Sequence, residues 1–283
     1  MPQKIIDTHV HIWQLDQSSY DWLKGAPALL NHSYGVADME ADRTAAGITG
    51  GILVQADNTL EDTAWMLQVA ENTPWISGVV GWLPLTDPFA TAALLEDKYS
   101  GHPYFKGVRH LIHDEADPKW LLQDTVIESL RVLAQYNLPY DLVGVLPEHI
   151  ETALQVAAKV PGLRMIFDHL NQPPVAQQEQ FGKWGTLMQE AAQHGNFYVK
   201  ISGLGTAAGT AGWSAETIRP SIEFVLQYFG ENRCCCGGDW PVSLLAGSYT
   251  YTWAQYREVL ACVLGEVAQE KLYHTNAELF YKV

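Results

Sequence analysis

The sequence predicts an α/β chain folded as a closed (β/α)8 barrel, the TIM-barrel class. Three observations predict it. Eight short apolar runs alternate with amphipathic stretches from end to end, the pattern of parallel strands joined by helices. The length of 283 residues matches the roughly 250 that such a barrel needs, with little left for a second module. No G-x-G-x-x-G follows the first run, as an open doubly wound sheet would usually show. With no low-complexity linker and no break in composition, residues 1–283 read as a single domain.

The first strand is expected over residues 4–9 (KIIDTH) and the second over 50–55 (GGILVQ). The second feeds a helix opened by Thr59-Leu60-Glu61-Asp62, which has capping-box character, with Leu60, Ala64 and Leu67 on one face. A third strand, 76–82 (ISGVVGW), precedes Asp87-Pro88 and an apolar-periodic segment through Leu95. The fourth is 105–110 (FKGVRH). Ile127, Leu130 and Ala134 mark a helix that ends before Asn137-Leu138-Pro139. The fifth strand, 139–143 (PYDLV), leads to a helix with Pro147 in its first turn, where proline is tolerated, and an Ile150, Leu154, Ala157 stripe. Strands six to eight fall at 163–169 (LRMIFDH), 197–202 (FYVKIS) and 233–239 (RCCCGGD). Helices at 184–194 and 215–229 separate them, and a last one runs from Trp253.

Composition agrees with a large packed core. Hydrophobic residues make up 47% and charged residues 17%, with 10 Trp, 13 Tyr and 8 Phe, which excludes disorder and coiled coil. A formal charge of −15 argues against nucleic acid or an anionic membrane as a partner. No window reaches the ~18 uninterrupted apolar residues of a membrane span, and the first residues lack a signal-peptide pattern. Cys234, Cys235 and Cys236 are adjacent, so they have neither zinc-site spacing nor a normal disulfide framework. They are expected as reduced thiols in a buried strand, and a cytoplasmic location fits best.

Barrel enzymes place catalytic groups at the C-terminal ends of strands. Here polar residues end strand after strand: His9 and His11, Gln55, Arg109 and His110, His169, Lys200 and Ser202, then Asp239. The His9-Val10-His11 run puts two imidazoles on one side of an extended chain, so both can reach one ion or one substrate oxygen. Asp239 lies in Gly237-Gly238-Asp239-Trp240-Pro241, where glycines admit close backbone approach; its competing reading is a loop aspartate capping a turn. Arg109 is either the partner of a buried carboxylate, Asp141 or Asp114, or a fork of donors for a substrate carbonyl. Gln55 and Lys200 could bond substrate hydroxyls or each other, while His110 and His113 read as supporting or loop residues. Trp13, Trp22, Trp82, Trp213 and Trp240 are candidates for an aromatic face against a sugar ring.

IDTHVHIW near the N-terminus, FDHLNQP at 167–173 and CGGDWPV at 236–242 resemble the amidohydrolase superfamily, whose members are (β/α)8 barrels. Within it the chain resembles the branch that hydrolyses sugar-acid lactones. That likeness is carried by VQADNT at 54–59, GVVGWLPL at 78–85, GVRHLIHDEADPKWL at 107–121, YDLVGVLPEHIE at 140–151, YVKISGL at 198–204 and NAELFY at 276–281. It covers essentially the whole chain. The resemblance implies an amidohydrolase-like hydrolase whose partner is a small-molecule sugar lactone such as L-fucono- or L-rhamnono-lactone. Asp239 would be the general base, Arg109, His9 and His11 would meet the oxyanion, and His169 would position the water or protonate the leaving hydroxyl. Arg109, His110, Gln55, Trp82, Trp22 and Lys200 would hold substrate.

The superfamily's metal pattern is matched at His9, His11, His169 and Asp239. Strand four offers Arg109, and strand five Asp141 with no histidine, so a bridged two-metal centre is not expected. The cofactor reading is none required, or one divalent ion, zinc first. Competing readings are a metal-dependent decarboxylase or aromatic-lactone hydrolase of the same superfamily, and a non-catalytic sugar-binding barrel. A homo-oligomer is compatible with the sequence.

Overall fold

A computed structural model of the chain describes residues 3–175, 181–209 and 212–283. Eight strands pair in parallel in chain order: β1 (Ile6–Val10), β2 (Gly50–Val54), β3 (Ile76–Gly81), β4 (Phe105–His110), β5 (Tyr140–Leu142), β6 (Met165–Phe167), β7 (Phe197–Ile201) and β8 (Cys234–Cys236). Each falls on the apolar run that predicts it. β6 and β8 stop short of their polar ends, because His169 and Asp239 have left-handed backbone that no strand can continue. The ring closes beyond β8, where Val10 bridges Trp240. There His11 N–H donates to Trp240 O at 2.7 Å and Asp239 N–H to His9 O at 2.8 Å.

Helices Leu60–Glu71, Asp124–Gln135, Pro147–Lys159, Gly182–Ala192, Ala215–Phe229 and Tyr249–Val263 follow strands on the outside. Pro147 does occupy the first turn of its helix. The last of the six begins at Tyr249 rather than Trp253, because Ser248 caps it by accepting from Tyr251 N–H. The helix after β2 is capped by the Thr59 hydroxyl, which accepts from Asp62 N–H. Of the expected Leu60, Ala64 and Leu67 stripe only Leu67 is buried, and it shares the inner face with Asp62, Thr63, Met66 and Ala70. Asp62 rotates it inward by accepting from Tyr20 Oη at 2.7 Å and Ala56 N at 3.0 Å.

Strand side chains alternate between the axis and the helices. Ile52, Val54, Val80, Ile166 and Cys235 point inward with Ile6 to form one apolar layer, while Cys234, Cys236, Val199 and Ile201 pack under the helices. The three adjacent cysteines are fully buried, and burial pushes the Cys235 thiol up to about 12. They are packing residues. Ala277, Phe280 and Tyr281 of the C-terminal helix Asn276–Tyr281 join the inner layer and plug that end of the barrel. No helix among the described residues is long and apolar enough to cross a membrane.

Burial pushes the Asp62 carboxyl up from 3.8 to about 7, against hydrogen bonds from Tyr20, Ala56 and Asp57 that pull it down. The folded state therefore keeps a proton that the unfolded chain releases earlier. That contribution is fully present below the unfolded value and is lost as pH rises through the folded one. Asp62→Asn should flatten the decline of the urea midpoint over this interval, and a variant curve parallel to the wild type would contradict the assignment.

Candidate active site

The seam between β1 and β8 is built around one carboxylate. Asp7 Oδ1 accepts from His9 N at 2.9 Å and Gly238 N at 2.8 Å, and Oδ2 accepts from Tyr249 Oη at 2.6 Å. Two glycines let the strands approach this closely. A Cβ at Gly237 would lie 2.7 Å from His9 Cβ, and one at Gly238 2.5 Å from Asp7 Oδ2. The seam delivers His9, His11 and Asp239 to one place. Asp239 Oδ1 lies 3.8 Å from His9 Nε2 and 3.6 Å from His11 Nε2.

His169 completes the cluster, its Nε2 3.8 Å from Asp239 Oδ1. It opens a run of four left-handed residues, His169 to Gln172, with φ of 52–53°. Such backbone costs on the order of 1–2 kcal/mol per residue for L-amino acids, so the surroundings must enforce it. Trp184 Nε1 donates to Leu170 O at 2.9 Å and Asn171 Nδ2 to Leu146 O at 3.2 Å. Ser202 Oγ lies 2.9 Å from His169 Nδ1 and accepts from His169 N–H. This fold-back turns an imidazole at a strand end over the barrel mouth.

The three imidazoles are kept neutral. Burial drives His9 well below its ordinary value, His11 down to about 3, and His169 down as well, although Asp239 opposes the last. A neutral ring carries one bare nitrogen. His11 Nδ1 sits 2.8 Å from the Val54 carbonyl and so holds the proton, leaving Nε2 bare. The His9 and His11 Nε2 atoms are 3.0 Å apart, and His9, His169 and Asp239 offer ligand atoms all within 4.8 Å. Imidazole nitrogens beside one carboxylate fit a single divalent ion, with zinc suited to the donor set. Burial also raises the Asp239 carboxyl, with His169 and Arg109 pulling it down.

Below the cluster lies a charged layer. Arg109 Nη1 donates to Asp168 Oδ2 at 3.1 Å, and Nη2 donates to Gln55 O. Lys200 Nζ is 2.9 Å from Asp168 Oδ1 and donates to Asp141 Oδ2. Burial alone would raise Asp168, but Lys200, then His9 and Arg109, hold it well below the usual carboxylate range. Above the layer opens a cavity of about 280 Å³ with His11, Arg109, His169 and Asp239 at its base.

The profile of the amidohydrolase family matches residues 6–283. The chain belongs to the amidohydrolase family. An L-fucono-1,5-lactonase of Burkholderia ambifaria is 33% identical over 285 residues, covering 98% of this chain and 95% of that protein. An L-rhamnono-gamma-lactonase of Scheffersomyces stipitis is 24% identical, covering 99% of each chain. A crystal structure of a Burkholderia multivorans amidohydrolase with bound zinc superposes with a TM-score of 0.91 at 25% identity, over 99% of both chains.

Within this amidohydrolase the sequence-derived residues divide. His9, His11, His169, Arg109 and Asp239 converge, but other assignments need correcting. Lys200 and Gln55 do not bond each other and are wholly buried, Gln55 Nε2 donating to Asn58 Oδ1 and Arg109 O. They support the site from beneath and present no face to a substrate. His110 faces away from the cavity, stacked on Trp120 at 3.9 Å between centroids, accepting from Trp82 Nε1 at 2.9 Å and meeting Glu115 at 2.7 Å. Trp82 is thereby a strut. Trp13, Trp213 and Trp240 are buried in packing, whereas Trp22 lines the cavity. The carboxylate that Arg109 holds is Asp168, neither Asp141 nor Asp114. Asp168 was missed, since it appears in the sequence only as the residue before His169 in the FDHLNQP run. Gln172, just past the turn after β6, and Thr206, in the short helix Leu204–Ala207 after β7, line the cavity from segments too short to carry a periodic signal.

Gly203 abuts this cluster with φ +60°, and a Cβ there would lie 2.6 Å from His169 Nδ1 and 3.2 Å from Asp239 Oδ2. Gly203→Ala should leave the far-ultraviolet spectrum unchanged and lower kcat by about a hundredfold through misplacement of these groups. Wild-type kcat in a folded variant would show that the contact is slack.

Proposed function

We propose that the protein hydrolyses a sugar-acid lactone to the free aldonate, with Asp239 as general base. The observation that carries this reading is a carboxylate only 3% exposed, facing three neutral imidazoles and an anchored guanidinium at the base of a cavity. The lactonase names of the relatives support the substrate class. The cavity walls suit a hydroxylated ring, since Trp22, Leu111 and Val143 offer apolar surface while His113, Gln172 and Thr206 offer hydrogen bonds.

Water attacks the lactone carbonyl carbon and gives its proton to Asp239. Arg109, fixed by Asp168 and the Gln55 carbonyl, lines the cavity base with its guanidinium and meets the oxygen that gains charge. The acyl–oxygen bond then breaks, and the ring oxygen leaves as an alcohol, taking back the proton held by Asp239. His169 orients the water. His9, His11, His169 and Asp239 are the residues that would hold a divalent ion, which when bound polarises a carbonyl and acidifies water. Arg109 is the single guanidinium on the cavity lining among the described residues, which favours a neutral polyol lactone over a dicarboxylated aromatic one.

A panel of aldono-1,4- and 1,5-lactones, followed by acid release with a pH indicator, tests the reading. One or more 6-deoxyhexono- or hexonolactones should open well above the uncatalysed rate. Asp239→Asn should lower kcat by about 10³-fold with the fold intact. A panel with no lactone opened, or a variant of near-normal rate, would overturn the assignment.

A further inference from the structure

A column of polar groups runs from the site down the barrel axis to the C-terminal helix. Lys200 Nζ lies 3.2 Å from His9 Nδ1 and 2.9 Å from Asp168 Oδ1, and donates to Asp141 Oδ2. Asp168 Oδ1 also lies 3.3 Å from His9 Nδ1. Asp141 in turn accepts from the Tyr281 hydroxyl, 2.9 Å from Oδ2 and 3.1 Å from Oδ1. Every group in this chain is at most 1% exposed. The Tyr281 ring sits in the apolar layer of Ile6, Val54, Ile166 and Cys235, at the end of the barrel opposite the cavity. Among the described residues, Asp141 has no side-chain donor other than Lys200 and Tyr281.

We propose that Tyr281 is a positioning residue for the site at the other end of the barrel, acting through Asp141 and Lys200 on the His9 ring. One ammonium is shared between two carboxylates and an imidazole. With its hydroxyl donor in place, Asp141 is satisfied from below and takes a single bond from Lys200. The remaining protons of Lys200 are then available to Asp168 and His9. Without the hydroxyl, Asp141 faces apolar side chains, and a buried carboxylate short of donors competes harder for the ammonium. Lys200 is drawn down the axis. His9 loses one of the two groups that face its Nδ1, and the division of the ring proton between Nδ1 and the Nε2 that meets His11 at 3.0 Å and Arg109 Nη1 at 3.4 Å is no longer fixed. The NAELFY segment that ends the chain thereby has a task beyond closing the barrel.

The kinetic part of this inference rests on the proposed hydrolase activity, and the spectroscopic part does not. Tyr281→Phe keeps the ring and its packing and removes only the hydroxyl. In protein carrying 15N-histidine, with the His9 signals identified by their loss in His9→Gln, the ring-nitrogen resonances of His9 should move in Tyr281→Phe. On the lactone that the wild type opens, kcat should fall about tenfold, the low end for supporting partners of a site imidazole, at unchanged KM. Combining Tyr281→Phe with Asp141→Asn should cost no more than Asp141→Asn alone. His9 resonances and kcat at wild-type values would overturn the proposal, and a lowered melting temperature with both unchanged would assign Tyr281 to packing alone. If the wild type opens no lactone, the hydrolase reading fails while the His9 spectrum still decides this one.

Discussion

Where β8 returns to β1, the Asp7 carboxylate accepts from the His9 amide of its own strand and, across the gap, from the Gly238 amide and the Tyr249 phenol, in space that Gly237 and Gly238 leave open. The alignment of the site depends on that junction. His9 and His11 ride on one side of it and Asp239 on the other, joined by the amide of Asp239 on the carbonyl of His9. The distances from Asp239 Oδ1 to the imidazoles are therefore set by backbone pairing and not by side-chain chance. Burial raises the Asp7 carboxyl to about 6, so its three donors also offset the cost of placing a carboxylate inside a barrel wall.

Charge inside the barrel is nearly balanced. Asp141 and Asp168 face Lys200 and Arg109, each pair held by direct contact. Buried ions persist only when paired and hydrogen-bonded, and these four satisfy that condition without drawing on Asp239. Asp239 is left facing three imidazoles, and burial raises its carboxyl although His169, Arg109 and Lys200 pull it down, the direction that the proposed role of base requires. Pairing below the site thus sets the chemistry above it. The acidic surface of the whole chain, −15 in formal charge, adds no attraction for an anionic product, so recognition of the carbonyl falls to local donors.

The eight strands were legible because parallel barrel strands are short apolar runs with polar ends, and those ends pointed to His9, His11, Arg109, His169 and Asp239. What periodicity could not show was depth. Lys200 and Gln55 end strands much as Arg109 does, yet a step further down the axis leaves them wholly buried beneath it. His110 follows Arg109 directly, so alternation sends it to the opposite face, onto Trp120. The tryptophans misled because their surplus after strands reflects packing under loops, with Trp22 the exception. The face of the helix after β2 was misread because its deciding residue is a buried aspartate, Asp62, which hydrophobic periodicity counts as outward. Tyr281 lies 140 residues from Asp141 in sequence, and no local pattern links them.

The claim that closure and site are one unit is tested most directly at Asp7. Amide hydrogen exchange at His11 and Asp239, whose N–H groups bond across the seam, can be measured with kcat in Asp7→Ala. Removal of the carboxylate should speed exchange at those two amides while core amides of β4 to β6 keep their protection, and kcat should fall by about tenfold or more. Unchanged exchange across the seam together with wild-type kcat would contradict the account.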